Sequence, residues 1–128
     1  MKKVVIDTNV LVSSILTYDG NPARVMEKIS NKQITLIYCP EILREYETVL
    51  SYDKLNIASQ TQFKIINEIT KLGVLIKPTS SDIILLDETD RIFYETAKTS
   101  EAILITGNIK HYPNESFIMT PASFLQQH

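Results

Sequence analysis

Fifteen acidic residues are spread through the 128-residue chain, and a few stand where a reaction centre is easiest to build. Asp7 directly follows the apolar run Val4-Val5-Ile6, so a carboxylate sits at the end of a buried segment. Glu45 and Glu47 flank opposite margins of a stripe in which Ile42, Tyr46, Val49 and Leu50 recur at helical spacing, and the spacing does not choose between them. Asp87 and Asp90 open another helical stretch in Asp87-Glu88-Thr89-Asp90, and Ile103-Leu104-Ile105 leads into Thr106-Gly107-Asn108, a hydroxyl, a glycine and an amide. Three or four carboxylates gathered at one edge repel one another, and a bound cation is one of the main ways to keep them together. Ligands that are all oxygen select hard ions, so Mg2+ or Mn2+ is expected rather than zinc. The chain has two histidines, His111 and His128, and one cysteine, Cys39. Most zinc sites and Ser-His or Cys-His nucleophiles therefore lack their parts. The nucleophile left is a water activated by a metal ion.

Each acid also has an ordinary structural reading. Asp87 with Asp90 at the third helical position makes a carboxylate variant of the capping box, and acids in a first turn suit the helix dipole. Residues 7–9, Asp-Thr-Asn, read as a strand-end turn.

The elements that must position these residues alternate along the chain. Apolar runs predict strands at 3–6, 34–39, 74–76, 102–106 and 117–119. Helical periodicity predicts helices over 10–16, 23–30 after the Asn21-Pro22 start, 41–50, from 59 to a stop at Gly73, 87–100 with Ile92, Phe93 and Ala97 inward, and a short last helix capped by Thr120-Pro121. Continuous apolar strands separated by helices are the pattern of a parallel sheet covered on both faces. The expected fold is a three-layer α/β/α sandwich around a mainly parallel sheet, with residues 1–128 as one domain. In such sheets ligands bind beyond the carboxyl ends of the strands, where Asp7 and Thr106 to Asn108 both fall.

Composition narrows the function further. Hydrophobic residues are 44% and charged residues 22%, the balance of a globular domain rather than of disorder. The apolar run after Lys2-Lys3 is too short for a signal peptide, and nothing approaches the roughly 18 apolar residues of a membrane helix. With its single cysteine, the chain is expected to be cytoplasmic and away from membranes. A net charge of −2 counts against strong non-specific binding to nucleic acid, an objection a divalent ion among the acids would offset. The three glycines, Gly20, Gly73 and Gly107, form no phosphate-binding loop. An aspartyl-phosphate phosphatase would need a second Asp two positions after Asp7, where Asn9 stands.

Taken in order, the segments Val4-Val5-Ile6-Asp7-Thr8-Asn9-Val10-Leu11-Val12-Ser13, Cys39-Pro40-Glu41-Ile42-Leu43-Arg44-Glu45-Tyr46, Asp87-Glu88-Thr89-Asp90-Arg91-Ile92-Phe93, Ile105-Thr106-Gly107-Asn108 and Thr120-Pro121-Ala122-Ser123-Phe124-Leu125 resemble the PIN domain family of metal-dependent nucleases. The likeness is to its toxin-like branch related to VapC, and it covers nearly the whole chain. The resemblance implies an endoribonuclease using Mg2+ or Mn2+, of the kind found as the toxin of a toxin-antitoxin pair. It implies a homodimer, an RNA substrate and an antitoxin protein as partner. By the same resemblance Asp7, Glu45 and Asp90 are catalytic metal ligands, Glu45 is chosen over Glu47, and Asp87 is an accessory acid. Asn108 occupies a position where many members carry a further aspartate, and a neutral amide there implies one well-held ion rather than two. Thr8, Asn9, Thr106 and Lys110 are expected to touch substrate or orient ligands, with Lys110-His111-Tyr112 as a basic, aromatic tract for the RNA strand. The alternative reading is an inactive PIN-fold module that binds RNA or protein.

Overall fold

The computed structural model describes residues 1–128. Five strands, β1 (Lys3–Ile6), β2 (Thr35–Tyr38), β3 (Val74–Leu75), β4 (Ile103–Ile105) and β5 (Ile118–Met119), form one sheet in the order β3-β2-β1-β4-β5, and every pair is parallel. Six helices flank it: α1 (Thr8–Leu16), α2 (Asn21–Ser30), α3 (Pro40–Leu50), α4 (Ser59–Leu72), α5 (Arg91–Ser100) and α6 (Pro121–Gln127). This is the expected three-layer α/β/α architecture. The strand order explains the patterning, because Val4, Val5, Ile6, Leu36, Ile37, Leu104 and Ile105 lie in interior strands and are buried. At the edge, both residues of β3 are exposed, so its apolar run signals a strand without burying it.

The chain builds β1, β2 and β3 outward to one side, then returns to place β4 on the other side of β1. That reversal opens a crevice at the carboxyl ends of β1 and β4, the usual ligand position in such sheets. The first residues past those ends are Asp7 and Thr106, tied together by the Asp7 amide donating to the Ile105 carbonyl at 3.0 Å.

Several element ends differ from the sequence expectation, each for a local reason. α1 starts at Thr8 rather than Val10, because Asp7 serves as its N-cap and accepts from the Asn9 amide at 3.4 Å. Residues 7–9 are thus a helix entry and not a free turn. α3 starts at Pro40 rather than at residue 41, since the first helical position needs no amide hydrogen. The helix expected over 87–100 is divided into a 3-10 turn, Glu88–Asp90, followed by α5. Asp87 does cap, accepting from the Thr89 amide at 3.0 Å and the Thr89 hydroxyl at 2.8 Å, but Asp90 makes no reciprocal bond, which removes the capping-box reading.

On α5 the buried face includes Tyr94, Glu95 and Thr96 as well as Phe93 and Ala97. Glu95 is tolerated there because Ser81 donates to it from its amide and hydroxyl, at 2.7 and 2.9 Å, and Arg91 lies 3.3 Å away. α3 is locked to the sheet by Tyr46, which is fully buried and donates its hydroxyl to the Ile6 carbonyl. Phe63 on α4, by contrast, is 75% exposed.

Candidate active site

Fourteen residues line a cleft of about 420 Å³ at the carboxyl edge of the sheet, among them Asp7, Thr8, Asn9, Glu45, Asp87, Asp90 and Asn108. Five segments deliver these seven. Asp7 comes from the end of β1, Thr8 and Asn9 from the first turn of α1, Glu45 from α3 beside the anchor Tyr46, Asp87 and Asp90 from the entry to α5, and Asn108 from the loop after β4. Glu47, which the helical wheel could not separate from Glu45, lines a different groove with Leu50, Ser59 and Phe63. α3 therefore presents Glu45 to the cleft and Glu47 away from it.

Hydroxyls hold two of the carboxylates. Thr8 donates to Glu45 Oε2 at 2.5 Å, and Thr106, fully buried, donates to Asp7 Oδ2 at 2.7 Å. The Asn108 amide in turn donates to the Thr106 hydroxyl at 3.0 Å, so the loop after β4 is aligned on the same group. Thr106 does not line the cleft; it braces Asp7 from beneath. Lys110 is exposed and does not line the cleft either.

Asp90 is different. Its Oδ2 is buried without a hydrogen-bond partner. His111 Nδ1 approaches it at 3.4 Å, too long for a well-formed bond. Burial pushes the Asp90 carboxyl above its ordinary value, the charges of Asp7 and Asp87 add to the rise, and His111 opposes it. An acceptor left unpaired among like charges is the feature a cation would relieve. The donor set, carboxylates with hydroxyls and an amide, fits a hard divalent ion. The acids are nonetheless spread along the cleft: no three His, Cys, Asp or Glu side chains are drawn together as a closed ligand set.

Three residues here were missed or misplaced by sequence reasoning. Tyr112, expected in an exposed tract, is buried, and its hydroxyl lies 3.4 Å from Asp7 Oδ2. Its phenol is pushed well above the ordinary value by burial and then by Asp7 and Asp90; it packs under the acids and does not stack a base. Tyr52 and Lys54, from the connection between α3 and α4, line the cleft. Their only sequence signal is a Tyr-x-Lys in a polar break between helices.

Residues 3–110 match the PIN domain family. An uncharacterised protein of Methanocaldococcus jannaschii is 32% identical over 109 residues, covering 83% of this chain and 70% of that protein. A solved structure, VapBC2 from Rickettsia felis bound to a DNA fragment from their promoter, contains a chain with the same fold. The two superpose with a TM-score of 0.57 at 17% identity, over 84% of this chain and 89% of that one.

Proposed function

This chain belongs to the PIN domain family, and we propose that it is a metal-dependent endoribonuclease. The observation that carries this reading is the Asp90 carboxylate oxygen, buried without a hydrogen bond, His111 3.4 Å off as its one basic neighbour, in a cleft that also collects Asp7, Glu45 and Asp87. Asp7, Glu45 and Asp90 would hold Mg2+ or Mn2+, with Asp87 as an accessory acid and Asn108 as a neutral ligand or water-orienting group. The chemistry such an ion supplies is activation of a water for in-line attack on a phosphodiester and stabilisation of the charge developing on the phosphate. The chain's own part is orientation. Thr106 directs Asp7, Thr8 directs Glu45, and Tyr46 fixes α3, which carries Glu45, against β1. Thr8 and Asn9, which line the cleft, would meet the substrate phosphate.

By the same reading the protein acts on RNA in the cytoplasm as one domain, as the toxin of a pair whose antitoxin is a second protein. The Rickettsia felis structure, a VapBC complex on promoter DNA, supports looking for such a partner. A second reading, an inactive module that binds RNA or protein, is favoured by Asn108 in place of an acid and by the open spread of the carboxylates. The two separate in one experiment. Mixed RNA incubated with Mn2+ or Mg2+ should be cleaved and be protected by chelator, and Asp7→Asn should fall to the chelator background while remaining folded by circular dichroism. RNA left intact under all conditions would favour the binding module.

A further inference from the structure

We infer, resting on the reading of the cleft as a ribonuclease site, that Tyr52 and Lys54 form a lip that holds one nucleotide of the RNA strand, the ring against a base and the ammonium against a phosphate. The acids pose an electrostatic problem. A phosphodiester entering the cleft meets Asp7, Glu45, Asp87 and Asp90, and a net charge of −2 offers no general attraction. One divalent ion would offset only part of those four charges. Among the fourteen lining residues Lys54 is the one permanent cation, with His111 the other basic group.

Lys54 is also uncommitted. The ion pairs of the chain involve Arg91, Lys98 and His111, and none uses Lys54. Its ammonium lies 5.8 Å from the centroid of the Tyr52 ring, the outer limit of a cation–π contact, which orients the charge without neutralising it. Tyr52 is 44% exposed at the cleft, with Lys54 over one side of its ring at the limit of contact, so a base is expected to stack on the ring's other side.

The backbone under the pair is built as a fixed turn. Residues Asp53–Leu55 form a 3-10 turn in which the Leu55 amide donates to the Tyr52 carbonyl at 3.1 Å and the Asn56 amide to the Asp53 carbonyl at 3.0 Å. Asn56 ends it in the left-handed region at φ 53°, a conformation that asparagine tolerates better than most residues. A lysine for phosphate and an aromatic ring for a base, on one short rigid turn, are the two parts of a single-strand site. A base can lay its face on Tyr52 only when it is not stacked in a duplex, so paired RNA is excluded.

The test uses the full chain and a short fluorescein-labelled single-stranded RNA of mixed sequence. Anisotropy is read with Ca2+ as the hard ion, and KM is read from cleavage with Mn2+. Tyr52→Ala should weaken binding roughly five- to 150-fold, the range a base stacked on an aromatic ring contributes, and Tyr52→Phe should keep it. Lys54→Ala should raise Kd and KM and make log Kd less steep against log salt by about 0.7, the loss of one phosphate contact on a single strand, and Lys54→Arg should restore the slope. Lys71→Ala, an exposed lysine of α4 away from the cleft, should do neither. Duplex RNA of the same sequence should compete poorly. Wild-type binding that survives both alanine variants within twofold, or equal competition by duplex, overturns the lip and leaves the ribonuclease reading standing. If the wild type neither binds nor cleaves RNA, the ribonuclease reading fails, and the lip with it.

Discussion

Asp90 concentrates the electrostatics of the cleft, because a buried oxygen without a hydrogen bond meets two acidic neighbours that His111 only partly opposes. A carboxyl whose folded pKa is raised binds its proton more tightly folded than unfolded. Its ionisation therefore costs stability: the penalty is absent below the unfolded value near 3.8 and complete above the raised one. In chelator, Asp90→Asn should be more stable than wild type at pH 7, and the gap between their urea midpoints should close as pH falls through the raised value toward pH 4. A gap that is constant with pH would mean that Asp90 carries no such strain. Asn108 supplies the complementary residue-scale prediction. It faces the cleft and its backbone N–H donates to the Thr106 hydroxyl, yet its side-chain amide brings no charge to a second ion. Asn108→Asp should tighten Mn2+ binding in calorimetry by about tenfold, the effect of roughly 1.4 kcal/mol of added attraction. Equal affinity in the two proteins, or two equally tight ions in the wild type, would show that the amide is no handicap.

At the scale of elements, α4 must stop where β3 begins, and Gly73 is the junction. Its φ of −79° is ordinary, so the glycine is not there for a left-handed turn. A Cβ at that position would lie 2.7 Å from the Ile69 carbonyl oxygen and 2.9 Å from two carbons of the Tyr38 ring. Gly73→Ala should accordingly destabilise the fold by about 1 to 3 kcal/mol, the cost of overpacking a tight contact, seen as a lower urea midpoint at unchanged m. A loss below about 0.5 kcal/mol, the scale of an ordinary surface substitution, would show that the Tyr38 ring moves aside. The same junction shows what the sequence made legible: Gly73 was readable as a stop, while its reason, an approach by a ring from β2, is long-range. Strands β1, β2 and β4 were readable because interior parallel strands are apolar on both faces, and Asp7 because it follows such a run; spacing left Glu45 level with Glu47 and Asp90 open to a capping role, and only the family resemblance singled them out. Tyr112 was not, since it follows Lys110-His111 and only the fold turns it under Asp7. Glu95 was hidden for a similar reason, because its partners Ser81 and Arg91 come from either side of the 3-10 turn that divides the expected helix.

For the molecule as a whole, the large apolar residues left exposed after the core is closed are scattered, apart from a few that lie close together in the chain. Ile84 is 91% and Leu86 82% exposed, two residues apart in a segment that is neither helix nor strand. Arg91 fixes this segment from behind, donating to the carbonyls of Ser81, at 2.7 Å, and Ile83. Single exposed apolar residues are ordinary, but a pinned pair lowers the ordering cost of an interface. A net charge of −2 gives little repulsion between copies. With the homodimer implied by the family resemblance, this ridge is the surface expected to be covered by a second copy about a twofold axis. Light scattering at tens of micromolar should give twice the 14.6 kDa of one chain, a concentration at which a low-micromolar dimer is largely assembled. Ile84→Lys with Leu86→Lys should return the mass to that of one chain without lowering the thermal midpoint of the monomer, because neither side chain is buried within it. A monomeric wild type would overturn the dimer, and a double variant that remains dimeric would move the interface to another face, with the exposed Phe63 on α4 the next to change.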